Sequence, residues 1–122
     1  MSNNCYTLIT GASEGLGKAL AVECASRRFN LILVALPASG LSELGEFITR
    51  NFPVEVYTFE KDLTEELSCK QLYLKIKNLD LAVNMLINNA GIGSTLPFVE
   101  GSIELYTRQI KLNILATTLL CR

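Results

Sequence analysis

The stretch "LITGASEGLGKAL" (residues 8–20) passes from an apolar run through three glycines into helix-forming residues. A strand ending at Thr10, then Gly11, Gly15 and Gly17, then a helix, predicts bare backbone that a phosphate can approach closely. The first amides of such a helix have no intrahelical partner and would face the negative charge. The spacing is G-x-x-x-G-x-G, and a glycine pattern alone also fits a tight strand-to-helix turn that binds nothing. The rest of the chain has to decide between the two.

Working outward, apolar runs rich in branched residues recur as "CYTLIT" (5–10), "LILVAL" (31–36), "VEVYTF" (54–59) and "VNMLIN" (83–88), each separated by a segment of helical length. The second and fourth runs are apolar almost throughout, as strands covered on both faces are, whereas Val54, Val56 and Thr58 alternate with Glu55, Tyr57 and Phe59. The third run therefore reads as a sheet edge. Between the runs, Leu16, Ala19, Leu20 and Cys24 share one helical face, as do Leu41, Leu44 and Ile48, and Cys69, Leu72, Tyr73 and Ile76. A last helix is predicted from Ser102, as N-cap, to Leu120, with Asn113 the polar member of its apolar stripe. No repeat, linker or low-complexity stretch divides the chain, so residues 1–122 read as one unit.

Composition narrows the classes. The 122 residues are 49% hydrophobic, enough to withdraw roughly two-thirds of the unfolded chain's surface from water. Eleven basic and twelve acidic residues leave a formal charge of -1 without a block of like charge, so neither nucleic acid nor an anionic membrane is an expected partner. Cys5, Cys24, Cys69 and Cys121 form no C-x-x-C pair and read as reduced core thiols. The start "MSNNCYTLIT" lacks the pattern of a signal peptide, and later apolar runs are interrupted before bilayer length; a cytoplasmic location is the expectation.

Further residues settle the glycine question. "TGASEGLG" (10–17) resembles the cofactor loop of the short-chain dehydrogenase/reductase family, "DL" (62–63) follows the third run where that family places its adenine-contacting acid, and "NNAG" (88–91) closes the fourth. Asn113, 25 positions after Asn88, matches the family's structural and catalytic asparagine. Four elements in one order are far more specific than any one of them. The resemblance implies an α/β fold, a doubly wound, Rossmann-type parallel sheet of four strands in the order 3-2-1-4, forming the dinucleotide-binding half of the family's domain. It implies NAD or NADP as cofactor, with Gly11, Ser13, Gly15, Leu16, Gly17, Asp62, Leu63, Asn89, Ala90 and Gly91 as the binding residues and Asn113 as the catalytic one. It further implies a small carbonyl or alcohol substrate.

The residues have plainer readings as well. Ser13 can tie down its loop, and Asp62 can cap a helix beginning near Thr64. Asn88 and Asn89 are expected to bond neighbouring backbone at the strand end, and a buried Asn113 needs a partner, since an unpaired buried amide costs about 1–3 kcal/mol.

Two features depart from the family. Where the second run ends, an acid would bind the adenosine ribose and an arginine a 2′-phosphate; this chain has Leu36-Pro37. Glu14 opposes an extra phosphate and Ser39 favours one, so the choice between NAD and NADP stays open. The family's serine and Tyr-x-x-x-Lys pair lie downstream of the asparagine, and the sequence given stops at Arg122, as a truncated chain would. Tyr57–Lys61 and Tyr73–Lys77 match that spacing, but the first falls on a strand, which sets the two side chains about 13 Å apart, and the second precedes "NNAG". Neither is assigned a catalytic role. Two alternatives remain: a short non-catalytic nucleotide-binding or interaction module, and another doubly wound enzyme such as a sugar epimerase or methyltransferase, which "NNAG" disfavours. An apolar fourth strand at the edge and a last helix apolar nearly all round predict self-association, as a homo-oligomer.

Overall fold

The computed structural model describes residues 5–122; the first four, part of the stretch read for a signal peptide, lie outside the described residues. Four strands, β1 (Cys5–Thr10), β2 (Asn30–Ala35), β3 (Val56–Glu60) and β4 (Ala82–Ile87), form one parallel sheet in the order β3-β2-β1-β4. Helices α1 (Gly15–Ser26), α2 (Leu41–Asn51) and α3 (Glu66–Asn78) connect them. A 3-10 turn (Phe98–Glu100), α4 (Ile103–Ile110), a π-helical segment (Lys111–Ala116) and α5 (Thr117–Cys121) follow β4. Order and strand direction agree with the sequence reading; β3 starts two residues later than the apolar run suggests, and β2 and β4 one residue earlier.

The period of two along a strand splits the core into two layers. Leu31, Leu33 and Ala35 of β2 pack with Ile9 beneath α1 and α2, while Ile32 and Val34 pack with Tyr6 and Leu8 against Leu63, Cys69, Leu72 and Ala116. Central β2 is buried at every position, which is why its sequence shows no alternation. β4 looks similar in sequence and is the sheet edge that the order 3-2-1-4 implies, but Val83 and Met85 are exposed, so its reading as a strand covered on both faces is corrected.

Three helical details differ from expectation. The buried face of α1 is Gly17, Ala21, Cys24 and Ala25, a strip of small residues that lets the helix sit close to the sheet; Leu16 and Ala19 face outward. Tyr73 of α3 is exposed, while Cys69 and Leu72 are buried. The last helix is capped as predicted, Ser102 Oγ accepting from Leu105 N at 3.1 Å, but its ladder widens to π geometry over Lys111–Ala116 around Asn113. Cys24 and Cys69 are buried, and burial raises both thiol pKa values, as inert core cysteines require. Cys121 is exposed and is no core thiol.

At the sheet end opposite the glycine loop, buried Tyr6 donates its hydroxyl to the Glu55 carboxylate, and Glu55 N donates to Asn30 Oδ1 at 3.0 Å. That hydrogen bond, then burial, then the charge of Glu55 push the Tyr6 pKa from 10.0 to about 12. The folded chain keeps this proton where the unfolded chain loses it. The contact's stabilisation is complete below the ordinary tyrosine pKa and drains away as pH rises through the folded one, by on the order of 2 kcal/mol. Urea midpoints should therefore fall across that alkaline window in the native chain and much less in Tyr6→Phe; equal slopes would refute the assignment.

Candidate functional site

The carboxyl ends of the four strands and the loops after them enclose a cavity of about 460 Å³. Open α/β sheets hold ligands at this end, and the size is in the range of small-molecule sites. Gly11, Ser13, Gly15, Asp62, Leu63, Asn89, Ala90 and Gly91 all line it, so residues spread over 80 positions of sequence meet at one place. Leu16, Gly17 and Asn113 do not line it.

The three loop glycines divide into two builders and one opening. Gly11 is left-handed (φ +63°), and a Cβ there would stand 2.9 Å from Ala90 Cα, so the β1 and β4 loops touch through bare backbone. Gly17 is buried under the Gly11 carbonyl; a Cβ would overlap that oxygen and stand 2.5 Å from Asn89 Nδ2. Gly15 is also left-handed (φ +56°), yet a Cβ would meet nothing within 4 Å. It leaves room at the first turn of α1, whose amides no side chain caps. That is the geometry of an anion site at a helix N-terminus, set within a cavity.

Thr10 fixes the β4 side and was not singled out from the sequence. Its hydroxyl, on a residue only 2% exposed, accepts from Asn89 N at 3.1 Å and Ala90 N at 3.0 Å. Asn89 Nδ2 donates to Gly11 O at 3.1 Å, closing a ring of bonds between the two loops. The available signal was a hydroxyl at the last position of an apolar strand, directly before the first glycine. Asn88 departs from expectation: its Nδ2 donates to Cys121 Sγ at 3.3 Å instead of to backbone.

Asp62 stands in the turn before α3 and does not cap that helix, whose N-cap is Glu65. Asp62 Oδ1 accepts from Thr64 N at 3.0 Å and Thr64 Oγ1 at 2.6 Å, shaping that turn, and the residue lines the cavity beside Leu63. Asn113 is exposed, contrary to the expected burial, but both ends of its amide are bonded: Oδ1 accepts from Ile92 N at 2.9 Å and Nδ2 donates to Ile92 O at 2.8 Å. This two-bond clamp pins the loop that follows "NNAG". Gly91 admits it, since a Cβ there would lie 3.3 Å from Asn113 Oδ1.

Ser39, Lys61, Arg108 and Leu112 also line the cavity and escaped the sequence reading as a group, because they come from three separate segments brought together only by folding. Of the two Tyr-x-x-x-Lys matches only Lys61 reaches it, and neither tyrosine does. Tyr57 stacks edge-on against Tyr6 at 5.8 Å, and Lys77 lies 6.0 Å from the ring of Tyr73 on the surface.

Residues 6–122 match the family model described as short chain dehydrogenase. Among curated proteins, the chain is similar to very-long-chain 3-oxoacyl-CoA reductases from Vanderwaltozyma polyspora (34% identity, covering 97% of this chain and 35% of the relative) and Pyrenophora tritici-repentis (36%, covering 92% and 34%). Among solved structures, it is similar to a short-chain dehydrogenase from Sphingobium yanoikuyae in complex with NADPH, at 34% identity and TM-score 0.88, covering 95% of this chain and 45% of that one. An alcohol dehydrogenase from the archaeon Thermococcus sibiricus, complexed with 5-hydroxy-NADP, matches at 27% identity and TM-score 0.88, covering 94% and 49%. The chain thus spans about a third of the length of these curated relatives and under half that of these solved ones. Among the described residues, no helix is long and apolar enough to cross a membrane. With its glycine loop, the Asn89–Thr10 ring and the Asn113 clamp in one parallel sheet of the matching order, the chain belongs to the short-chain dehydrogenase family.

Proposed function

We propose that this chain is the NAD(P)-binding part of an oxidoreductase acting on a carbonyl or alcohol substrate. The observation that carries the proposal is Gly15: its open side and the uncapped amides of α1 face the same cavity as Asp62 and "NNAG". The pyrophosphate would rest on the amides of residues 13–17, the adenine beside Asp62 and Leu63, and the ribose against Ala90 and Gly91. Asn113 holds the loop that continues the cavity wall through Ile92. When bound, the nicotinamide supplies or accepts the hydride. The names of the relatives, reductases and alcohol dehydrogenases, support that substrate class.

By itself the chain should not turn over. Among the described residues no tyrosine lines the cavity, so the tyrosine that passes the proton in this family has no counterpart there. This also keeps in play a non-catalytic nucleotide-binding role. Calorimetry should show one saturable site for NADPH or NADH, abolished in Gly15→Val and in Gly15→Asn. The left-handed backbone costs valine about 1–2 kcal/mol, and asparagine less, so both variants should stay folded. Unchanged affinity in both would rule the site out. Cofactor-dependent reduction of a carbonyl by the purified chain would refute the claim of inactivity.

We further propose that the chain self-associates. Val83 and Met85 on the β4 edge, together with Ile103, Ile110 and Ile114 on the outer side of the last helices, are exposed. Leu112, Leu119 and Leu120 pack inward instead. An unpaired apolar edge strand is a template for another chain. Light scattering should give a mass of at least two chains at micromolar concentration; a stable monomer would contradict this.

A further inference from the structure

At the sheet edge formed by β3, half of the strand's backbone groups point away from the sheet. Glu55 O accepts from Leu31 N and Lys61 N donates to Ala35 O, both at 2.9 Å, so odd-numbered positions from 55 to 61 turn their backbone groups toward β2. By the period of two along a strand, Val56, Thr58 and Glu60 turn theirs outward. Neither flanking helix closes this edge. A groove of about 380 Å³ runs beside α2, lined by Gly45, Thr49, Arg50, Val56 and Thr58. Another of about 590 Å³ lies toward α3, lined by Phe59, Glu60, Lys61, Gln71 and Lys75.

Charges on an edge strand usually discourage pairing with another chain. Here they match when the strand meets its own copy. An antiparallel pair related by a twofold axis at Thr58 sets Thr58 opposite itself, Val56 opposite Glu60, Tyr57 opposite Phe59 and Glu55 opposite Lys61. The outward residues then fall in hydrogen-bonded pairs, which exchange both backbone bonds, and the odd positions fall in the closer pairs, where side chains meet. On the α3 side, half-buried Tyr57 meets half-buried Phe59. The Lys61 ammonium, bonded within its own chain to the neutral Gln71 Oε1 at 3.1 Å, meets the exposed Glu55 carboxylate. On the α2 side, Glu60 of the second copy reaches Val56, in the groove that holds the Arg50 guanidinium. Arg50 is only loosely engaged, its Nη2 standing 3.9 Å from Glu46 Oε2. Sliding the pair by two residues either way sets Lys61 against Tyr57 or against Pro53, and the match with Glu55 is lost.

We propose that a second copy of this chain adds antiparallel to β3, joining the two sheets into one across a twofold axis at Thr58. The contact lies at the opposite edge of the sheet from β4 and is independent both of the dinucleotide reading and of the β4 contact.

Amide hydrogen exchange of the whole chain, read residue by residue by NMR from micromolar to millimolar concentration, tests this. The outward amides of Val56, Thr58 and Glu60 should exchange freely in dilute solution and slow by at least about tenfold in concentrated solution. Those of Tyr57 and Phe59, which face β2, should be slow at both. Lys61→Glu and Glu55→Lys each set like charges opposite one another, and each should need about tenfold more protein to reach the same protection. An equimolar mixture of the two should recover the native behaviour, because the mixed pair restores both Glu–Lys contacts. Exchange at the three outward positions that does not depend on concentration would overturn the proposal. Protection without recovery on mixing two folded variants would assign the edge to another segment of the second copy, such as β4, and overturn the antiparallel pairing. Glu55→Lys also loses its bond from Tyr6; if that variant does not fold, the concentration dependence of the native chain and its weakening in Lys61→Glu still decide the outcome.

Discussion

Gly17→Val should unfold the chain, or leave it with a cavity end too disordered to bind anything. Gly17 faces inward from the first turn of α1, and its missing Cβ is the space in which the Gly11 carbonyl and the Asn89 amide sit. Neither neighbour can give way. The Gly11 carbonyl is backbone with a left-handed φ, and Asn89 is tied through that carbonyl and through Thr10. Even alanine should cost about 3 kcal/mol, the upper end for overpacking a tight site, and valine more. The contrast with Gly15 is informative because the two residues are separated only by Leu16. Gly15→Ala should lose about 1–2 kcal/mol through its backbone alone. Chemical denaturation of the three variants measures this directly; a Gly17→Ala chain as stable as Gly15→Ala would show that the loop and helix do not pack as described.

Thr10→Val should be the next largest loss. Valine matches threonine in shape and keeps the packing of a fully buried strand end, but it removes the acceptor shared by Asn89 N and Ala90 N. Leaving these amides without their acceptor should cost on the order of 2–3 kcal/mol. Thr10→Ser keeps the oxygen and gives up one methyl group, about 1 kcal/mol. The order of stability should therefore be native, then serine, then valine, in thermal or urea unfolding. Valine as stable as serine would mean the hydroxyl bonds contribute nothing net. Affinity for a dinucleotide should follow the same order, because the Thr10 ring holds "NNAG" against the glycine loop.

What the sequence made legible was what depends on period and local chemistry. Alternation marked β3 as an edge, the glycine spacing marked the turn into α1, and Ser102 marked a helix start, because each is decided by residues within a few positions. Where the reading failed, the deciding contact came from far along the chain. Leu16 was placed in the core by its helical spacing, but Gly17 makes the close approach to the sheet and turns Leu16 outward. β4, expected at the sheet edge, was read as covered on both faces like β2, because hydrophobicity alone does not say whether both faces of a strand are packed. Thr10 and Asn89 are 79 positions apart, so no local pattern could pair them. Asn113 was found by its distance from "NNAG", yet the π-helical turn that presents its amide to Ile92 leaves no mark in the residue pattern.

The central claim, that a dinucleotide lies across the carboxyl ends of the four strands, is tested most directly by backbone amide chemical shifts of the labelled chain titrated with NADPH. The largest shifts should fall on residues 11–17, 35–39, 61–64 and 89–92, which come together only around this cavity. The Tyr6, Asn30 and Glu55 amides at the far end of the sheet should barely move. Shifts centred on that far end, or no saturable shifts in a folded chain, would contradict the account.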